Sequence, residues 1–101
     1  MANDLSGYQR QYLKGLAHGM KPIVTVGDAG VTEGVVQAIA EALLTHELIK
    51  VRMRKPESKK DMAQELADKS GSALCGIVGH TAILYLEHPE KPVIHVPQRS
   101  K

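Results

Sequence analysis

The chain has 101 residues, 43% hydrophobic and 24% charged, which is one domain's worth of chain and enough to bury roughly 60–65% of its unfolded surface. It holds no apolar run near the roughly 18 residues of a membrane span, and Met-Ala-Asn-Asp-Leu-Ser at the start carries no secretion signal. Net charge is +2, and the one cysteine, Cys75, excludes an intramolecular disulfide and a zinc finger and fits a reducing, cytoplasmic setting.

The first predicted element is a helix over residues 6–17. Leu5, Tyr8, Tyr12, Leu13 and Leu16 recur at three- and four-residue steps, Ser6 is a plausible N-cap, and His18-Gly19 ends the run. Pro22, lacking an N–H, can only open a strand, and Ile23 to Val26 form a short buried one. Lys14 and Lys21 flank its entry.

Gly27-Asp28-Ala29-Gly30 follows, a GxxG loop leading straight into a second helix from Val31 or Thr32 to His46. Val35, Ile39 and Leu43 with Val31, Ala38 and Ala42 make its apolar face, broadened by Val36 and Leu44, and so wide a stripe predicts packing on a sheet. The loop is no Walker motif, since no Gly-Lys-Ser/Thr follows, and no dinucleotide fingerprint, since the third glycine is missing. Bare glycine backbone beside a helix N-terminus is a ready seat for an anion such as phosphate, although two glycines in a strand-to-helix loop are more often plain turn chemistry. Gly34 in the helix's first turn costs about 1 kcal/mol against alanine, which points either to clearance for a ligand or to close packing.

From Leu48 the chain alternates, with Ile49, Val51 and Met53 on one face and Lys50, Arg52 and Arg54 on the other. Like charges at this spacing repel, so an outside anion or acids from a neighbouring strand should relieve them; a charge-guarded edge strand is the plainer alternative. Between Lys50 and Lys60, six cations (Lys50, Arg52, Arg54, Lys55, Lys59, Lys60) face the single acid Glu57, a local net of +5, leaving seven cations and ten acids elsewhere. A basic patch on an acidic body is the footprint of a polyanion partner.

Ser58 should cap a third helix to about Ser70, with Met62, Ala63, Leu66 and Ala67 buried, Glu65 paired with Lys69, and Gly71 as the stop. Lys59 and Lys60 in its first turn oppose the helix dipole, which hints at use. Ala73 to Val78 and Thr81 to Leu86 flank Gly79-His80, a tight hairpin signal. Val93 to Val96 is a candidate short edge strand, and residues 98–101 are expected to be a loose tail behind a single domain over 1–97. The order α-β-α-β-α-β-β predicts a mixed four-stranded sheet with helices packed on it, in two or three layers.

Four pieces of this chain resemble the CRM-domain family (chloroplast RNA splicing and ribosome maturation), in particular its bacterial YhbY-like RNA-binding branch. They are Lys14-Gly15-Leu16-Ala17-His18 with Lys21-Pro22; Val26 through Val35; His46-Glu47-Leu48-Ile49-Lys50-Val51; and Ile77-Val78-Gly79-His80 with Leu84-Tyr85, in family order over roughly residues 5–97. The resemblance implies a fold like the C-terminal domain of translation initiation factor three and a glycine loop working like that of KH domains, which clamp backbone nucleotides. It also implies association with precursors of the large ribosomal subunit. On this resemblance Gly27 to Gly30 form the RNA-binding loop, Lys14, His18 and Lys21 its basic surround, and Lys50 and Arg52 the cationic strand face. The chain departs from the family at Asp28, where the loop usually has a basic or neutral residue, and at Leu86, where Arg is usual.

Catalysis finds little support. His46-Glu47-Leu48-Ile49-Lys50 lacks the second histidine of a zincin and reads as a strand, and Cys75 reads as a buried small hydrophobe. The expectation is therefore a monomeric, non-enzymatic RNA-binding module without cofactor, metal, membrane or small-molecule substrate, acting on ribosomal RNA in large-subunit assembly. The alternative is an adaptor that docks its basic patch on an acidic protein. With three aromatic residues, all tyrosine, such a module should grip RNA backbone and shape rather than stack bases.

Overall fold

The computed structural model describes residues 5–54, 56–94 and 96. The elements follow the predicted order: α1 (Gly7–Ala17), β1 (Val24–Val26), α2 (Glu33–His46), β2 (Leu48–Met53), α3 (Lys59–Ser70), β3 (Ala73–Val78) and β4 (Thr81–Tyr85). Each helix starts where a hydroxyl can accept an orphan backbone N–H: Gln9 N donates to Ser6 Oγ, Val35 N to Thr32 Oγ1 and Asp61 N to Ser58 Oγ. The Gln9 side chain accepts from Ser6 N in return, closing a capping box. Gly71 ends α3 at φ +72° and Gly79 turns the β3–β4 hairpin at φ +62°, where a side chain would strain the backbone.

The strands make one mixed sheet in the order β1-β2-β4-β3, with β1 parallel to β2 and the other pairs antiparallel. A bulge interrupts the β3–β4 register between Leu74 and Gly76. There are three layers. Val26, Ile49, Val51, Met53, Ala82 and Leu84 face α2 and α3 and close over Ile39, Leu43, Ala63, Leu66 and Ala67. On the opposite face, Leu48, Cys75, Ile83 and Tyr85 pack against Leu13 and Ala17 of α1.

Three expectations need correction. Tyr8, Tyr12 and Leu16 lie along the outer side of α1, 50%, 40% and 44% exposed; the helix buries Leu13 and Ala17 instead, a narrower seam because it rests on only part of the sheet. On α2, Ala38 and Leu44 are likewise exposed, since the buried seam runs through Ile39 and Leu43. The candidate edge strand does not form at Val93 and Ile94: both amides donate to a side-chain carboxylate rather than to a strand. His95 and residues 97–101, including the expected loose tail, lie outside the described residues.

That carboxylate is Glu47, 2% exposed at the junction of α2 and β2. Its backbone sits at φ +64°, a region L-residues enter only at a cost. The main chain is held on both sides, Glu47 N donating to Leu43 O at 2.8 Å and Leu86 N to Glu47 O at 2.8 Å. Its Oε2 accepts from His88 N (2.7 Å), and Oε1 from Val93 N (2.9 Å) and Ile94 N (2.7 Å). Burial pushes this carboxyl up, but the three amides and nearby His88 outweigh it and hold it below the usual range.

Candidate nucleic-acid interface

Because β1 and β2 run parallel, both end on the same side of the molecule, and the antiparallel hairpin brings its turn there too. Arg54 N donates to Val26 O (3.1 Å) and Met53 N to His80 O (2.7 Å), which fastens these loops together. The N-termini of α2 and α3 follow β1 and β2 directly. One end of the sheet thus gathers the glycine loop, two helix N-termini and the hairpin tip. In open α/β sheets this is the end where ligands sit.

The glycine loop is a tight turn closed by Gly30 N donating to Gly27 O at 3.0 Å. Gly30 stands at φ +80°, while a Cβ at either glycine would meet nothing within 4 Å. Asp28 and Ala29 form the exposed tip. Asp28 does not cap α2, since Thr32 does. It lines instead an open groove of about 450 Å³ together with Glu57, Ser58, Asp61, Met62 and Glu65. The α3 side of this end is therefore acidic.

The α1 side is the reverse. Strand register sets Val78, Thr81, Arg52 and Thr25 in a row across all four strands, on the face opposite α2 and α3. The row lies outside the seam that α1 covers: Thr25 and Arg52 are exposed, Thr81 half-buried and Val78 57% exposed. Neither strand neighbour of Arg52 is acidic, and no ion pair of Arg52 or Arg54 occurs among the described residues. Among the described residues, then, the charge of Arg52 and Arg54 has no counterion.

The predicted site residues divide by what their side chains do. Lys14 on α1, Lys21 before β1, and Arg52, Arg54 and Lys60 are exposed. Lys50 is half-buried: its Nζ donates to Met20 O (3.0 Å) and His18 O (3.4 Å), fastening the end of α1 to β2. The contribution of His18 is thus a carbonyl, and its ring is on the surface. Lys59 reaches across to donate to Gly79 O at 3.0 Å, which accounts for a cation in the first turn of α3. Lys55 lies outside the described residues. The strand face is therefore less uniformly cationic than its alternation implies.

Cys75 is buried and its thiol is pushed up to about 12 by that burial, partly offset by Arg10. Among the described residues no cluster of three or more His, Cys, Asp or Glu could hold a metal ion, and no helix is long and apolar enough to cross a membrane.

Comparison with known proteins converges on one family. The model of the CRS1 / YhbY (CRM) domain matches residues 5–85. A Bacillus subtilis protein named "Probable RNA-binding protein YqeI" is 40% identical over 95 residues, covering 92% of this chain and 99% of its own. A Haemophilus influenzae protein named "RNA-binding protein" is 38% identical over 97 residues, covering 94% and 97%. The solution structure of the hypothetical protein SAV1595 from Staphylococcus aureus superposes with a TM-score of 0.81 at 33% identity, covering 93% of this chain and all of that one.

Proposed function

Since the chain belongs to the CRS1/YhbY (CRM) domain family, we propose that it is a non-catalytic RNA-binding protein that grips structured ribosomal RNA in precursors of the large subunit. The observation that carries this reading is Arg52, exposed on the open row of Val78, Thr81, Arg52 and Thr25 and without an ion pair among the described residues. Arg54 lies just beyond it, with the glycine loop and the N-terminus of α2 at the same end of the sheet. A phosphate at the loop meets bare glycine backbone and the positive end of the helix dipole, with no side chain on Gly27 or Gly30 to hold it off. The next phosphates along the strand meet Arg52 and Arg54, whose fork-shaped guanidinium groups suit them. The carboxylates of the α3 groove repel the same strand, so the RNA lies on the α1 side of the loop. Binding by backbone and shape reads little sequence.

The test is a titration with a large-subunit ribosomal RNA transcript at several salt concentrations. Four exposed cations on that side, Lys14, Lys21, Arg52 and Arg54, predict a log–log salt slope of about −3, or on the order of 10²-fold weaker binding at 200 mM than at 50 mM salt. Arg52→Glu with Arg54→Glu should remove binding and leave the thermal midpoint within a few degrees of wild type. A flat salt response, or an unaltered double variant, would count against the reading. In cells, the protein should sediment with particles slightly lighter than mature large subunits at low salt and leave them at high salt.

A further inference from the structure

On β3 the chain places Gly76 beneath α1, immediately after the bulge at Leu74/Gly76. A Cβ built there would lie 2.7 Å from Lys14 Cδ, 3.0 Å from Cε and 3.2 Å from Cγ. The methylene stem of Lys14 thus lies flat on bare strand backbone, in space that any side chain at position 76 would take. Among the nine glycines this is the one with such an obstruction, and its φ is not in the left-handed region. Neither turn geometry nor strain therefore calls for glycine. A glycine in a strand costs order and packing, so the stem is the feature that accounts for it.

Resting on the RNA-binding reading above, we propose that Gly76 is a positioning residue for Lys14: the missing side chain is a seat that holds the lysine stem against the sheet and so presents its ammonium to phosphate in one orientation. The row in which Gly76 stands runs through Ile83 to Lys50, one step along the sheet from the open row containing Arg52. A seated Lys14 would therefore extend the cationic track from Arg52 towards α1. A freely rotating lysine would have to lose rotamer freedom on binding, whereas a seated one has lost much of it already. The ammonium of Lys14 makes no hydrogen bond or ion pair within the described residues, which leaves it available.

The obstruction is by the flexible part of a lysine, so Gly76→Ala should fold, displacing the stem rather than the backbone. The expected result is an unusual pairing: a thermal midpoint equal to or above wild type, together with about five- to tenfold weaker binding of the ribosomal RNA transcript and a salt slope shallower by about one unit. Lys14→Ala should weaken binding to the same degree, and Gly76→Ala in the Lys14→Ala background should add nothing further. Proton and carbon shifts of the Lys14 Cε methylene should move in Gly76→Ala without RNA. Wild-type affinity in Gly76→Ala, or a full additional loss in the double variant, would overturn the proposal while leaving the RNA-binding reading intact. A wild-type chain that binds none of the transcript would remove that reading and this function of the seat together.

Discussion

At Gly30 the backbone stands at φ +80°, whereas Gly27 is under no such constraint and has open space where a Cβ would be. The two substitutions should therefore part company. Gly30→Ala should cost about 1 kcal/mol by forcing a side chain into the left-handed region. Gly27→Ala should leave urea-unfolding stability within about 0.5 kcal/mol and weaken RNA binding, because the added methyl meets only what approaches from outside. A similar division runs through the cations. Lys50→Ala should cost about 1–2 kcal/mol, since it removes the donor to the Met20 and His18 carbonyls. Arg52→Ala should be nearly neutral for stability and harmful to binding. Denaturation and RNA titration of all four variants check these outcomes. Alternation in the sequence put Lys50 and Arg52 on one face, which is correct. That one is stitched to α1 and the other bare depends on where α1 crosses the sheet, a fact fixed by packing and invisible to a period-two pattern.

At the scale of the elements, local signals did well. Ser6 and Ser58 as caps, Gly71 as a stop, the Gly79-His80 turn and the Glu65–Lys69 pair at 3.0 Å all sit within a few residues of their partners in sequence. What escaped is long-range. Glu47 receives amides from more than forty positions downstream, and nothing beside it in sequence marks an acid there as structural. Its one local trace is that α2 ends at His46 without a glycine. Which side of α1 is buried was likewise decided by the sheet, not by helical periodicity. Gly34 illustrates how structure closes a question the sequence leaves open. A Cβ there meets only Thr32 Oγ1, at an ordinary 3.8 Å, so close packing is not the reason for it. Gly34→Ala should stabilise α2 by about 0.5–1 kcal/mol, raising the thermal midpoint by several degrees. If clearance for RNA is its role, affinity should fall as stability rises.

For the molecule as a whole, Glu47 ties the end of α2, the end of β4 and the segment beyond it into one unit. Its carboxyl is held below its unfolded value, so it contributes stability that is fully present above about pH 4.3 and is lost as pH falls through the lower folded value. The free energy of unfolding should accordingly fall on acidification from about pH 5 to about pH 3. Glu47→Gln should cost about 2–4 kcal/mol at neutral pH and flatten that acid limb, because an amide cannot serve three donors as an ionised carboxylate does. Slow hydrogen exchange at the His88, Val93 and Ile94 amides should be lost in the same variant.

The order β1-β2-β4-β3 leaves two free edges, and each is built to resist extension. β1 has three residues, closed off by Gly27 and entered two residues after a proline with no N–H to offer. β3 is broken by its bulge. Neither presents the long, flat, unpaired ladder on which a second chain adds strands. With both edges blunted in this way, the fold denies a second copy of the chain the easiest route to polymerising through the sheet.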